Sequence, residues 1–207
     1  MSVPRYERRS HNGSPGLPGL QVRKADGKTT LFGYAAVFNS FSRDLGGFKE
    51  IIRPGAFKRA LQESDVTSLW NHDANHVLGR QSNNTLRVSE DERGLYYEVD
   101  LPPTQAARDL EVLVERGDIR GSSFGFDVHG EAGQAWREEG PDVVRELRDL
   151  DLYDVSPVCF AAYLATEGAK RSFDRWKEIR SVESAAAIAA DLDEVRLLIA
   201  LAEAEGG

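Results

Sequence analysis

The chain has 207 residues, of which 41% are hydrophobic and 29% charged, and its formal net charge is −8. This fits one globular domain with short appendages, and the acidic balance excludes sequence-independent nucleic-acid binding, which needs a surplus of Lys and Arg. The single cysteine, Cys159, excludes an internal disulfide and a cysteine-built zinc site, and no apolar run is long enough to span a membrane.

Residues 1–19 mix Pro4, Pro15, Pro18, Gly13, Gly16 and Gly19 with polar residues, which predicts a flexible N-terminal arm. Arg5, Arg8 and Arg9 have no apolar stretch behind them, so the arm does not read as a signal peptide, and a reducing compartment is expected. Leu20–Lys24 and Thr29–Phe38 flank Ala25-Asp26-Gly27-Lys28, whose Asp-Gly step predicts a hairpin. Phe48–Arg53 reads as a strand, and Pro54-Gly55-Ala56-Phe57 as the start of a helix running to Gln62. Val66–Trp70 is a short buried strand ending at Asn71-His72-Asp73, and Val77–Gly79 and Thr85–Ser89 continue the β pattern. Leu95–Leu101 alternates in period two. Thr104–Arg116 is helical, with Thr104 as N-cap, an apolar stripe of Leu110, Leu113 and Val114, and Gly117 as the stop. Ser122–Val128, Val143–Leu147 and Leu152–Val158 read as strands, with a Glu- and Gly-rich loop near Glu138–Pro141.

From residue 169 the composition shifts to Ala, Glu and Leu, which predicts an acidic amphipathic helical tail over 169–207. Phe173, Trp176 and Ile179 mark one helix, and Leu192, Val195, Leu198 and Ile199 a second over Ser184–Ala204. The domain proper is expected over 20–168. Many short strands with few helices fit a closed β-barrel with helices packed outside better than a βαβ fold, and no Gly-rich phosphate loop follows a strand.

Three places could carry chemistry. His72 and His76 lie close together behind a buried strand. Taken alone, His72 reads as a polar residue at a strand end. A metal site of His72, Asp73 and His76 would need a helix, and a loop fits better there. His11 in the arm and His129 beside Gly130 read as inert and exposed. The second place is Gly121-Ser122-Ser123-Phe124-Gly125-Phe126, where small residues allow close backbone approach and could free N–H groups for an oxyanion. The third is Asp154, an acid in an apolar strand, where acids are depleted and an inward charge needs a partner such as an imidazolium.

Together these stretches resemble the prohead maturation proteases of tailed phages of the HK97 type. The resemblance rests on Gly33–Asn39, Ile52–Phe57, Trp70–Asp73, Leu78–Arg80, Gly94–Tyr96, Gly117–Phe126 and Leu152–Val158, which occur in order. It implies an assemblin-like β-barrel of about seven strands ringed by helices. It also implies a serine endopeptidase with Ser123 as nucleophile, His72 as base and Asp154 as the third member, where the family usually has Glu. Arg80 and Arg148 are candidates for oxyanion support. Ala161, in Phe160-Ala161-Ala162-Tyr163, replaces the usual Pro. No cofactor or metal is implied. The implied partners are the major capsid protein as substrate and the chain itself, by self-cleavage and as a homodimer, with neither nucleic acid nor membrane. The implied location is the host cytoplasm, inside the prohead. The alternative is a catalytically silent scaffold protein of the same fold.

Overall fold

The computed structural model describes residues 6–11, 19–160, 169–184 and 186. The chain divides into two units, Met1–Thr166 and Glu167–Gly207. Residues 1–5 and 12–18 of the expected arm, Ala161–Tyr163, and the second tail helix from residue 187 onward lie outside the described residues.

Among the described residues, twelve strands carry the first unit, which is mainly β: β1 Glu7–His11, β2 Gln21–Ala25, β3 Lys28–Val37, β4 Lys49–Ile52, β5 Thr67–Trp70, β6 Asp73–Arg80, β7 Leu86–Glu90, β8 Gly94–Asp100, β9 Gly121–Val128, β10 Gln134–Glu139, β11 Asp142–Leu147 and β12 Leu150–Val158. The helices of this unit are α1 Ala60–Glu63 and α2 Gln105–Glu115. The strands form sheets in the orders β1-β9-β12-β5-β6, β2-β3-β8-β7 and β10-β11-β4.

Local chemistry sets most of these boundaries. Asp26 and Gly27 both have positive φ, so the Asp-Gly hairpin forms as expected between β2 and β3. The Thr104 Oγ1 accepts from the Ala107 N–H and caps α2, and Gly117 at φ +80° ends it. The apolar stripe of α2 buries Ala107, Leu110 and Val114. The core joins that stripe to Leu31, Tyr97, Val99, Phe124, Phe126, Leu152 and Val155.

Four expectations need correction. The helix from Pro54 shortens to Ala60–Glu63, because Gly55 at φ +90° keeps Pro54–Arg59 in turns. Glu7–His11, expected within the flexible arm, is a strand that pairs antiparallel with β9. β10 was not expected; it pairs with β11 across the turn at Gly140. The ladders among the described residues also do not close into the ring that the resemblance implies. β2 ends the four-stranded sheet with Arg23 and Lys24 tied to Glu98 and Glu111, and β6 meets β5 through two register shifts that twist it away. Among the described residues of this unit, two helices accompany the sheets rather than a ring of them.

The second unit holds a helix over 169–184. On it Phe173 stacks against Trp176 with ring centroids 6.1 Å apart, and Ile179 is exposed.

Candidate active site

Strand alternation sends neighbouring side chains to opposite faces. On β9, Ser122, Phe124 and Phe126 face the core, and the Ser122 hydroxyl lies 3.0 Å from the buried Tyr97 hydroxyl. Ser123 and Gly125 therefore share the other face. The neighbouring strand β12 presents Ser156 opposite Ser123 and Asp154 opposite Gly125.

Asp154 reaches this face through a β-bulge. Leu152 is core, and without an irregularity Asp154, two residues on, would point inward as well. The register shift between Leu152 and Asp154 inserts Tyr153, turns Asp154 outward and returns Val155 to the core. Gly125 then matters for space. A Cβ there would lie 2.4 Å from Asp154 Oδ2 and 2.2 Å from the Tyr6 ring.

His72 sits on a two-residue hairpin. Trp70 and Asp73 pair directly, and Asn71 and His72 take φ of 54° and 58°. Both central residues of a type I′ turn need positive φ, a conformation in which histidine is strained. Asn71 anchors the turn to β12: its N–H donates to the Pro157 carbonyl, and its Oδ1 accepts from the Cys159 N–H, both at 3.0 Å. The strain is thus held by contacts outside the turn, and they aim the imidazole along β12.

The three side chains form one line. His72 Nδ1 lies 2.6 Å from Asp154 Oδ1, and His72 Nε2 lies 2.6 Å from Ser123 Oγ. Ser156 Oγ donates to Asp154 Oδ1 at 2.6 Å, and the Tyr6 hydroxyl donates to Oδ2 at 2.8 Å. Burial pushes the Asp154 carboxyl up, but hydrogen bonds from His72, Ser156 and Tyr6, with the imidazole charge, outweigh it and hold it below the usual carboxylate range. The Tyr6 phenol is driven the other way, to about 12, by burial and the adjacent carboxylate.

The line is covered. Ser123 is fully buried, and its hydroxyl also donates to the Arg9 backbone carbonyl on β1, at 2.8 Å. Nothing in the polar, Gly- and Pro-studded N-terminal stretch signalled that β1 would lie here.

The remaining candidates go elsewhere. Arg80 bonds Asp65 and Arg148 bonds Glu146, and neither guanidinium hydrogen-bonds to the three residues. His76 reaches Asp73 at 3.2 Å, and both His72 nitrogens point to other partners, so the two histidines do not converge. Among the described residues no cluster of three or more His, Cys, Asp or Glu side chains could hold a metal. His129 is half-exposed beside Asp151, and the side chain of His11 lies outside the described residues. A cleft of about 940 Å³, lined by Val77, Arg80, Asn83, Pro102 and Arg108, includes none of the three aligned residues.

Residues 19–179 match the family described as caudovirus prohead serine protease. The chain is 39% identical over 108 residues to the prohead protease of Enterobacteria phage HK97, covering 50% of this chain and 44% of that protein. It thus spans under half the length of this curated relative. Among solved structures it is similar to the bacteriophage T4 capsid assembly protease, at 9% identity and a TM-score of 0.46, over 76% of this chain and 99% of that one.

Proposed function

The chain belongs to the caudovirus prohead serine protease family, and on that premise we propose that it is a serine endopeptidase of phage prohead maturation. Its substrates are the scaffolding segment of the major capsid protein and the chain itself, and it works inside the prohead. The observation that carries this reading is the imidazole of His72 bridging Ser123 Oγ and Asp154 Oδ1.

The roles follow from that order. A free hydroxyl is a weak nucleophile, and an imidazole nitrogen 2.6 Å away can take its proton as the oxygen attacks the scissile carbonyl. His72 then returns that proton to the leaving amine. Asp154 keeps the Nδ1 proton facing it, which leaves Nε2 free as the base, and its charge stabilises the imidazolium. Water repeats the cycle on the acyl-enzyme. Ser156 and Tyr6 hold the carboxylate.

Co-expression with the capsid protein, read by mass spectrometry of both chains, tests this. Wild type is expected to cleave the capsid protein, and Ser123→Ala to leave it intact. Retention of cleavage by Ser123→Ala overturns the assignment.

A further inference from the structure

β1 reads Glu7-Arg8-Arg9-Ser10-His11 and contains no apolar side chain. The hydrophobic effect therefore gives it no reason to be buried. Yet Arg9 is fully buried and Glu7 nearly so, and the strand lies along β9 with Ser10 opposite Ser123. Main-chain pairing with pockets for alternate side chains is how an extended peptide docks on a sheet edge.

The two faces of β1 meet two different environments. On one, Arg9 donates to Glu50 Oε1 at 2.5 Å, to Glu50 Oε2 at 2.9 Å and to Glu7 at 2.7 Å, and stacks 5.4 Å over the Phe126 ring. Arg145 closes the group by donating to Glu7 and Glu50 at 2.9–3.0 Å. Glu50 and Arg145, on β4 and β11, are themselves a neutral pair, so the pocket is matched by a strand that brings one acid and one base two positions apart. Removing either member would leave a buried charge unpaired. On the other face, Tyr6 meets Asp154, and the carbonyl of Arg9 meets Ser123 Oγ.

We propose that β1 is a resident substrate strand: the site selects an acidic residue two places before a basic one, and the bond it presents for hydrolysis is Arg9–Ser10. This rests on the serine endopeptidase reading. The Ser123 proton has two acceptors, the Arg9 carbonyl and His72 Nε2. Given to Arg9, it holds the strand; given to His72, it frees the oxygen to attack. Ser123 Oγ then bonds to the Arg9 carbonyl carbon, the bond to the Ser10 nitrogen breaks, and His72 passes the proton to that amine. Water cleaves the ester, leaving a carboxylate on Arg9, a chain that begins at Ser10 and a restored Ser123 hydroxyl.

The test uses the full chain, purified without an N-terminal tag and followed by intact mass. A species beginning at Ser10 is expected from wild type and absent from Ser123→Ala. Arg9→Glu should block the cut, and Arg9→Lys should retain it within about tenfold, because a cation still meets Glu50. A synthetic peptide of residues 4–13 should be cut at the same bond by the processed enzyme, and its Glu7→Lys form at least about tenfold more slowly, since the pocket's charge partner is reversed. Arg9→Glu, with its clamp broken, should also react with a fluorophosphonate at Ser123, which separates the two readings. If Ser123 labels there but neither chain nor peptide is cut between Arg9 and Ser10, the resident-substrate proposal is overturned while the endopeptidase reading stands. If Ser123 does not label and the capsid protein stays uncut, the endopeptidase reading falls first.

Discussion

Asp154 accepts hydrogen bonds from His72, Ser156 and Tyr6, so its replacement by Asn keeps the shape but removes the charge and offers the imidazole an N–H. Asp154→Asn is expected to fold and to cut the capsid protein slower by a factor on the order of a hundred or more. Ser122→Ala should cut at near the wild-type rate, yet lose about 1 kcal/mol of stability, because the buried Tyr97 hydroxyl loses its partner. Denaturant melts alongside cleavage assays separate the two effects. At this scale much was legible. Asp154 stood out as an acid in an apolar strand, and alternation alone put Ser122 and Ser123 on opposite faces. From sequence, Glu146 and Asp149 on the preceding strand are also acids that could take the third position; the structure engages them with Arg53, Arg137 and Arg148, and with Arg59. Arg80 and Arg148 likewise hydrogen-bond to nearby carboxylates, Asp65 and Glu146.

The elements that place these residues are a bulge and a tight hairpin, and neither has a sequence signature here. A period-two pattern places Leu152 and Asp154 on one face, and only the extra residue Tyr153 separates them. Deleting Tyr153 should remove the bulge yet leave Leu152 on the core face and Asp154 on the Ser123 face, so cleavage is expected to persist, whereas a second residue inserted beside Tyr153 should turn one of the two the wrong way and abolish it; cleavage assays on both variants check this. Asn71-His72 lacks the glycine that marks most two-residue turns, so the sequence is compatible with a helix or a loop there, and the pairing of Trp70 with Asp73 makes it a hairpin. Asn71→Gly keeps the positive φ but loses the Oδ1 contact to the Cys159 N–H, so it should cost about 1 kcal/mol, whereas Asn71→Val loses the same contact and should cost about 1–3 kcal/mol more, since a β-branched residue resists positive φ. Urea midpoints of the two variants check this. β1 and β10 were invisible for a different reason. Both are edge strands rich in charge, and such strands carry little apolar alternation to read; β1 is in addition held by a partner remote in sequence, β9.

Across the molecule, carboxylates held by arginines set the response to acid. Glu146 is pulled from its ordinary value to about 2, chiefly by the Arg53 hydrogen bond and further by Arg148 and Arg137. A carboxyl with a depressed folded pKa stabilises the fold above its unfolded value, and that contribution is lost as pH falls through the folded one. Stability should therefore decline between about pH 5 and pH 2, and Glu146→Gln should flatten that slope in melts across the range. The mainly β architecture was legible from short strands and turn residues. The division into three sheets was not, because it depends on register shifts and on which strands end each sheet.

The placement of β1 on β9 also fixes how occupancy of the site scales. The occupant is part of the same chain, so it competes at an effective concentration set by tether geometry, roughly millimolar for a short link. Dilution cannot empty such a site. A rival strand displaces the occupant only where its own local concentration approaches that figure, or after the tether is cut. The fluorophosphonate labelling rate of intact wild type should therefore be the same at low and high protein concentration, and should rise only when β1 is lost without a strand to replace it.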